Sequence, residues 1–159
     1  MTQIIKEVSV ALPHEALPGA DWADAYQVTV ETAYPNARAA GDAAFSTFPF
    51  WVNALMALRN LIVTPFGLKR EEDRRSTKER VGFFPIIAES ERQLIVGMND
   101  RHLDFRCVID IANHDLGQNV TIATIICRHN WLGRIYLVIV TPFHQLIVRS
   151  ALGRLAHAG

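Results

Sequence analysis

The run WLGRIYLVIVTPFHQLIVRSALGRLA, residues 131–156, decides the fold. Read by propensity, its section from Ile135 to Val140 is a strand, because it is rich in β-branched and aromatic side chains. Read by phase, the run is a helix. Arg134, Thr141, Gln145 and Arg149 are spaced so that the polar residues fall within about 80° of one helical face. Phase predicts one long helix from about Trp131 to Ala156, kinked at Pro142, which leaves the carbonyl of Val138 without its usual partner. The alternative is a strand over 134–140 and a helix starting at Thr141-Pro142, an N-cap and N1 pair. A membrane-spanning helix wants about 20 mostly apolar residues. Arg134, Thr141, Pro142, His144 and Gln145 interrupt this one, so it reads as a buried helix with no membrane insertion.

Such a helix needs a cover, and the preceding residues supply one. Strands are expected at about 81–88, 92–98, 103–113 and 118–129. Short turns at Glu89-Ser90-Glu91, Asn99-Asp100 and His114–Gly117 join them, which implies an antiparallel meander. Ala23 to Ala33 alternates and adds another strand. Two helices follow it. One is alanine-rich, N-capped by Asn36, weakened by Gly41 and ends near Phe45. The other starts at Pro49 and stops near Val63, ahead of Thr64-Pro65. The fold class is therefore α+β, an antiparallel sheet of about five strands gripping a long C-terminal helix.

The chain has 159 residues, enough for one domain over 1–159 with its own core. Residues 1–20 read as an irregular arm punctuated by Pro13, Pro18 and Gly19. Residues 69–80 hold ten charged side chains in twelve and read as a hydrated charged loop. Sixteen basic and sixteen acidic residues cancel, so no global field draws the chain to nucleic acid. Cys107 and Cys127 are no disulfide framework, and both are expected reduced. No basic and apolar leader opens the sequence, so a cytoplasmic location is expected.

The strand at 103–113 carries the densest chemistry. Leu103, Phe105, Cys107, Ile109 and Ile111 alternate with polar residues and are expected to face the core. Asp100, His102, Asp104, Arg106 and Asp110 fall on the other side. An imidazole among carboxylates can carry a proton, and Arg106 can clamp a carboxylate ligand. The first reading of the row is an ion-paired strand face, since exposed charged rows on strands are common and charged side chains are seldom buried unless paired. His144, on the apolar C-terminal helix, is a second acid–base candidate, or a hydrogen-bonded structural histidine. Trp51, Leu55, Tyr136 and Phe143 are core residues by default and the candidate lining of an apolar ligand cavity. Arg59 needs a polar partner, a strand acid or a ligand head group. Two carboxylates and the imidazole of the 100–106 row could hold a divalent metal, but no pair of histidines has zinc spacing, no glycine-rich phosphate loop occurs, and no Gly-x-Ser-x-Gly elbow occurs. No cofactor is expected.

Several pieces together carry a resemblance: Asp24-Ala25-Tyr26, Phe48-Pro49-Phe50-Trp51-Val52, Leu58-Arg59-Asn60, Phe66-Gly67-Leu68-Lys69, His102 to Arg106, Gly133 to Leu137, and Pro142-Phe143-His144. Over about residues 20–155 the chain resembles the uncharacterised bacterial family called domain of unknown function 2867. That family is similar to START-like, helix-grip proteins. The resemblance implies a curved sheet wrapped around the C-terminal helix, with an apolar small molecule between them. It implies no catalytic residue.

Three functions fit these readings. The first is a non-enzymatic binder of an apolar or amphipathic small molecule. The second is an enzyme that moves a proton on such a ligand, with His102 or His144 beside Asp104 or Asp100. The third is a module that forms a homodimer through exposed apolar surface. An imidazole and a carboxylate within hydrogen-bond reach inside an enclosed cavity would favour the second, a cavity with few ionisable groups the first, and a large apolar patch outside with no cavity the third.

Overall fold

The computed structural model describes residues 4–46, 57, 80–81, 84–99 and 103–157. Its elements in chain order are β1 (Lys6–Glu7), β2 (Trp22–Val30), α1 (Ala37–Ala44), β3 (Arg80–Val81), β4 (Phe84–Glu89), β5 (Gln93–Asn99), β6 (Leu103–His114), β7 (Gly117–Arg128) and α2 (Trp131–His157). Among the described residues seven strands form one antiparallel sheet in the order β1-β2-β7-β6-β5-β4-β3. Two of these, β1 and β3, are two-residue edge pairings; the single strand expected at 81–88 is divided into β3 and β4, which pair antiparallel with Val81 opposite Phe84. The long strands lie where alternation put them.

The hairpin between β6 and β7 sets the register. Asp115 and Leu116 form a two-residue turn closed by His114 opposite Gly117. Gly117 has φ +137°, and a Cβ there would meet Val30 O at 2.0 Å. Counting back from the turn, Cys107 faces Thr124, out of register with Cys127, and both thiols are free.

The segment 134–140 is helix. In α2 its β-rich side chains lose to the burial of Leu137, Val148, Ala151, Leu152 and Leu155 along one row. At the Pro142 position, Thr141 Oγ1 donates to Leu137 O at 2.5 Å. Asn130 caps the helix, its Oδ1 accepting from Gly133 N at 3.1 Å. Asn36 likewise caps α1 by accepting from Ala39 N at 2.8 Å. Gly41, costly inside a helix, has a packing reason: a Cβ there would lie 2.7 Å from Leu94 Cδ2 and 3.1 Å from Ile109 Cδ1. Arg154 of α2 donates to Ala44 O at 3.2 Å, satisfying a carbonyl at the end of α1.

The two helices cover one face of the sheet. Tyr26, Val28, Leu94, Val96, Cys107, Ile109, Val120 and Ile122 meet Ala37, Ala40, Ala44, Val148, Leu152 and Leu155 there. Two findings differ from expectation. The N-terminal arm does structural work: Val8, Val10, Ala16, Leu17 and Ala20 pack on Ala25, Val108, Ala123 and Ile125 of the opposite face. The polar side of β6 is therefore partly enclosed, with Val108 fully buried and Arg106 buried. And among the described residues α2 is not covered all round. Trp131, Ile135, Val138, Ile139, Phe143 and Leu146 form an exposed stripe, with Val138 73% exposed. The second helix expected from Pro49 to Val63, and the charged loop up to Glu79, lie outside the described residues.

Candidate functional site

Strand parity places a carboxylate on the apolar face. Along β2, Trp22, Asp24, Tyr26, Val28 and Val30 point toward α2, and Asp24 is the one charged side chain of the five. Register extends the row: Asp24 lies opposite Thr124, and Thr124 opposite Cys107. From the helix side, His144 stands one turn before Val148 and two turns after Leu137, on the row that α2 buries. Its Nε2 is 3.2 Å from Asp24 Oδ1. The Asp24 side chain is only 8% exposed. Its second oxygen, Oδ2, is sealed from solvent and has no hydrogen-bond partner among the described residues. His144 Nδ1 has no partner among the described residues, and its side chain is 20% exposed.

The surroundings of this pair are apolar and aromatic. The Trp22 ring meets the His144 ring edge-on, centroids 6.2 Å apart. Trp22 and Tyr136 pack beside Leu103, Ile126, Leu137 and Phe105. Arg149 holds its guanidinium carbon 5.3 Å from the centre of the Tyr26 ring. Burial, then the charges of Asp24 and Glu7, push the Tyr26 hydroxyl above its ordinary value, while Arg149 pulls the other way. Burial pushes the Cys107 thiol up to about 12, with the Asp24 carboxylate adding to it. Cys107 is thus a protonated, inert thiol, unsuited to nucleophilic chemistry.

A lone buried carboxylate oxygen costs several kcal/mol unless something donates to it. The Asp24–His144 pair can do two things chemically. Oδ2 can accept from a donor on a ligand. The imidazole, fixed by Asp24 on one nitrogen, can exchange a proton through the other.

The residues named from sequence distribute as follows. His144 and Tyr136 lie at this interface, whereas Phe143 belongs to the exposed stripe. Asp104 lies on the opposite face of the sheet, with Oδ2 3.1 Å from Nε2 of His129. His129 Nδ1 in turn is 4.0 Å from Cys127 Sγ. Burial raises the Cys127 thiol above its ordinary value, helped by Asp21 and Asp104. Arg106 also faces away from α2. It lies across Gly97, where a Cβ would meet its Cδ at 2.9 Å, and donates through Nη1 to Asn99 Oδ1 at 2.8 Å and Phe105 O at 2.9 Å. Trp51, Leu55, Arg59, Asp100 and His102 lie outside the described residues. Asp24 was missed, although its signal is local: a carboxylate in phase with Trp22, Tyr26, Val28 and Val30.

The family model described as "Protein of unknown function (DUF2867)" matches residues 16–151. The chain belongs to this family. The match runs from the arm through β2, the meander and most of α2, so Asp24 and His144 both lie within the DUF2867 region. Searches of curated proteins and of solved structures found no match.

Proposed function

We propose that this protein binds an apolar or amphipathic small molecule between the sheet and α2, with the Asp24–His144 pair receiving its polar group. The single observation that carries this is Asp24 Oδ2, enclosed and without a partner among the described residues. A purely structural pair would be expected to satisfy both oxygens, because an unmade buried bond costs more than a made one contributes. The arrangement of a sheet with a long C-terminal helix on one face supports a helix-grip, START-like reading, in which the ligand lies in a cavity under the helix. Tyr136, Trp22 and Thr124 would line it on our reading. Native mass spectrometry of protein purified from its own host tests this. We expect a co-purifying mass that disappears when Thr124→Trp sets a bulky ring at the register position between Asp24 and Cys107. Ligand-free wild type that also ignores a fluorescent fatty-acid-like probe contradicts the proposal.

A second reading is enzymatic. His144 Nε2 sits 3.2 Å from a carboxylate while Nδ1 has no partner among the described residues, the arrangement a general base needs. On this reading Asp24 orients the imidazole and His144 takes a proton from the bound molecule. Conversion of the co-purified compound by wild type but not by His144→Asn, with binding retained, supports it. Unchanged compound after prolonged incubation leaves binding as the function. The exposed α2 stripe is the surface a homodimer would use, and sedimentation of the same sample reads that directly.

A further inference from the structure

We infer that the group received at Asp24 is a hydrogen-bond donor, an amine or ammonium before any other, carried on an apolar body. This rests on the binding reading above and narrows it to one chemical class. An ionised carboxylate only accepts, so whatever meets Oδ2 must donate. The oxygen is sealed, and its side chain is more than nine-tenths buried. An anionic head group there would bring two like charges together with little water between them.

The charged groups around the pair agree. At Cys107, one row across the sheet, Asp24 is the charge that acts among the described residues, and it raises the thiol. Tyr26, next on the same face, feels Asp24 and Glu7 as well as Arg149. Arg149 is the nearby cation and lies over the Tyr26 ring on an exposed position of α2, where water screens it. His144 already meets Oδ1 and leaves Oδ2 open. Trp22 offers an aromatic neighbour beside His144, a surface that favours a cation over an anion. Among the described residues no three His, Cys, Asp or Glu side chains converge as a metal centre requires. An organic donor fits the pair better than a divalent ion. The carboxylate clamp foreseen for Arg106 is on the other face of the sheet and bonded to Asn99.

Dodecylamine, dodecanol and dodecanoate test this, each titrated below its micellar concentration against a bound fluorescent apolar probe at neutral pH. The expected order is amine, then alcohol, then acid, with the amine about ten-fold tighter than the acid. Asp24→Asn should reduce that preference to about two-fold while dodecanol affinity changes little. Dodecanoate binding as tightly as dodecylamine overturns the inference and leaves the binding reading standing, as does an amine preference that survives Asp24→Asn. If none of the three displaces the probe, the binding reading itself fails. The wild-type ranking alone decides the matter should Asp24→Asn not fold.

Discussion

Asp24 and His144 are 120 residues apart in sequence, yet Oδ1 of one lies 3.2 Å from Nε2 of the other across the sheet–helix interface. The pair ties the first long strand to the middle of the last helix. Removing one partner strands the other. His144→Leu should therefore destabilise the protein by about 3–5 kcal/mol, because a buried carboxylate is left without a partner. The double variant Asp24→Leu/His144→Leu should recover most of that loss. Urea titrations of the four proteins check the cycle, and additive losses would show that the two side chains do not interact.

Leu152 and Val138 share a helix and differ in exposure, 0% against 73%. Leu152→Ala should cost about 2–5 kcal/mol through the cavity it leaves. Val138→Glu should change stability by no more than about 0.5 kcal/mol, since it replaces an exposed side chain. Should Val138→Glu unfold the protein or split a dimer, its stripe is covered in solution.

Gly117→Ala tests the hairpin. At φ +137° any side chain is strained, and its Cβ would meet Val30 O on the neighbouring strand. A loss of about 2 kcal/mol or more is expected by thermal or chemical unfolding. A neutral result would mean that the turn adopts another conformation.

Alkaline pH should weaken the fold through Cys107. The thiol is held protonated up to about 12 in the folded chain, against an ordinary value of 9.0 when exposed. Below pH 9 both states keep the proton and nothing changes. Above it the unfolded chain loses the proton first, so stability falls by about 1.4 kcal/mol per pH unit until the folded thiol also titrates. Tyr26 and Tyr34, both raised by burial, act with the same sign. Cys107→Ala should remove part of the slope in unfolding free energy between pH 9 and 11. An unchanged slope would show that this thiol has no part in it.

Most of the sheet was legible because alternation is local: β5, β6 and β7 each follow a two-residue period that fixes face and register together. Helix α2 was legible through the phase of Arg134, Thr141, Gln145 and Arg149, which outweighed the β-rich run at 135–140. The arm was not. Val8, Val10, Ala16, Leu17 and Ala20 have no shared period, and their burial depends on the sheet face they cover. The site was half legible. His144 announced itself as a histidine on an apolar helix. Its partner did not, because pairing with Asp24 requires the β2–β7 register and the position of α2. The Asp104–His129 contact has the same cause: Asp104 lies opposite Cys127, which brings His129 within 3.1 Å.

The central claim is that a ligand is received at the Asp24–His144 pair, and NMR on the two side chains tests it most directly. With Asp24 labelled at Cγ and His144 at its ring nitrogens, dodecylamine is titrated in. Both signals should shift and saturate along the same curve as displacement of the fluorescent probe. Probe displacement with both side-chain signals unmoved would place the ligand elsewhere and contradict the account.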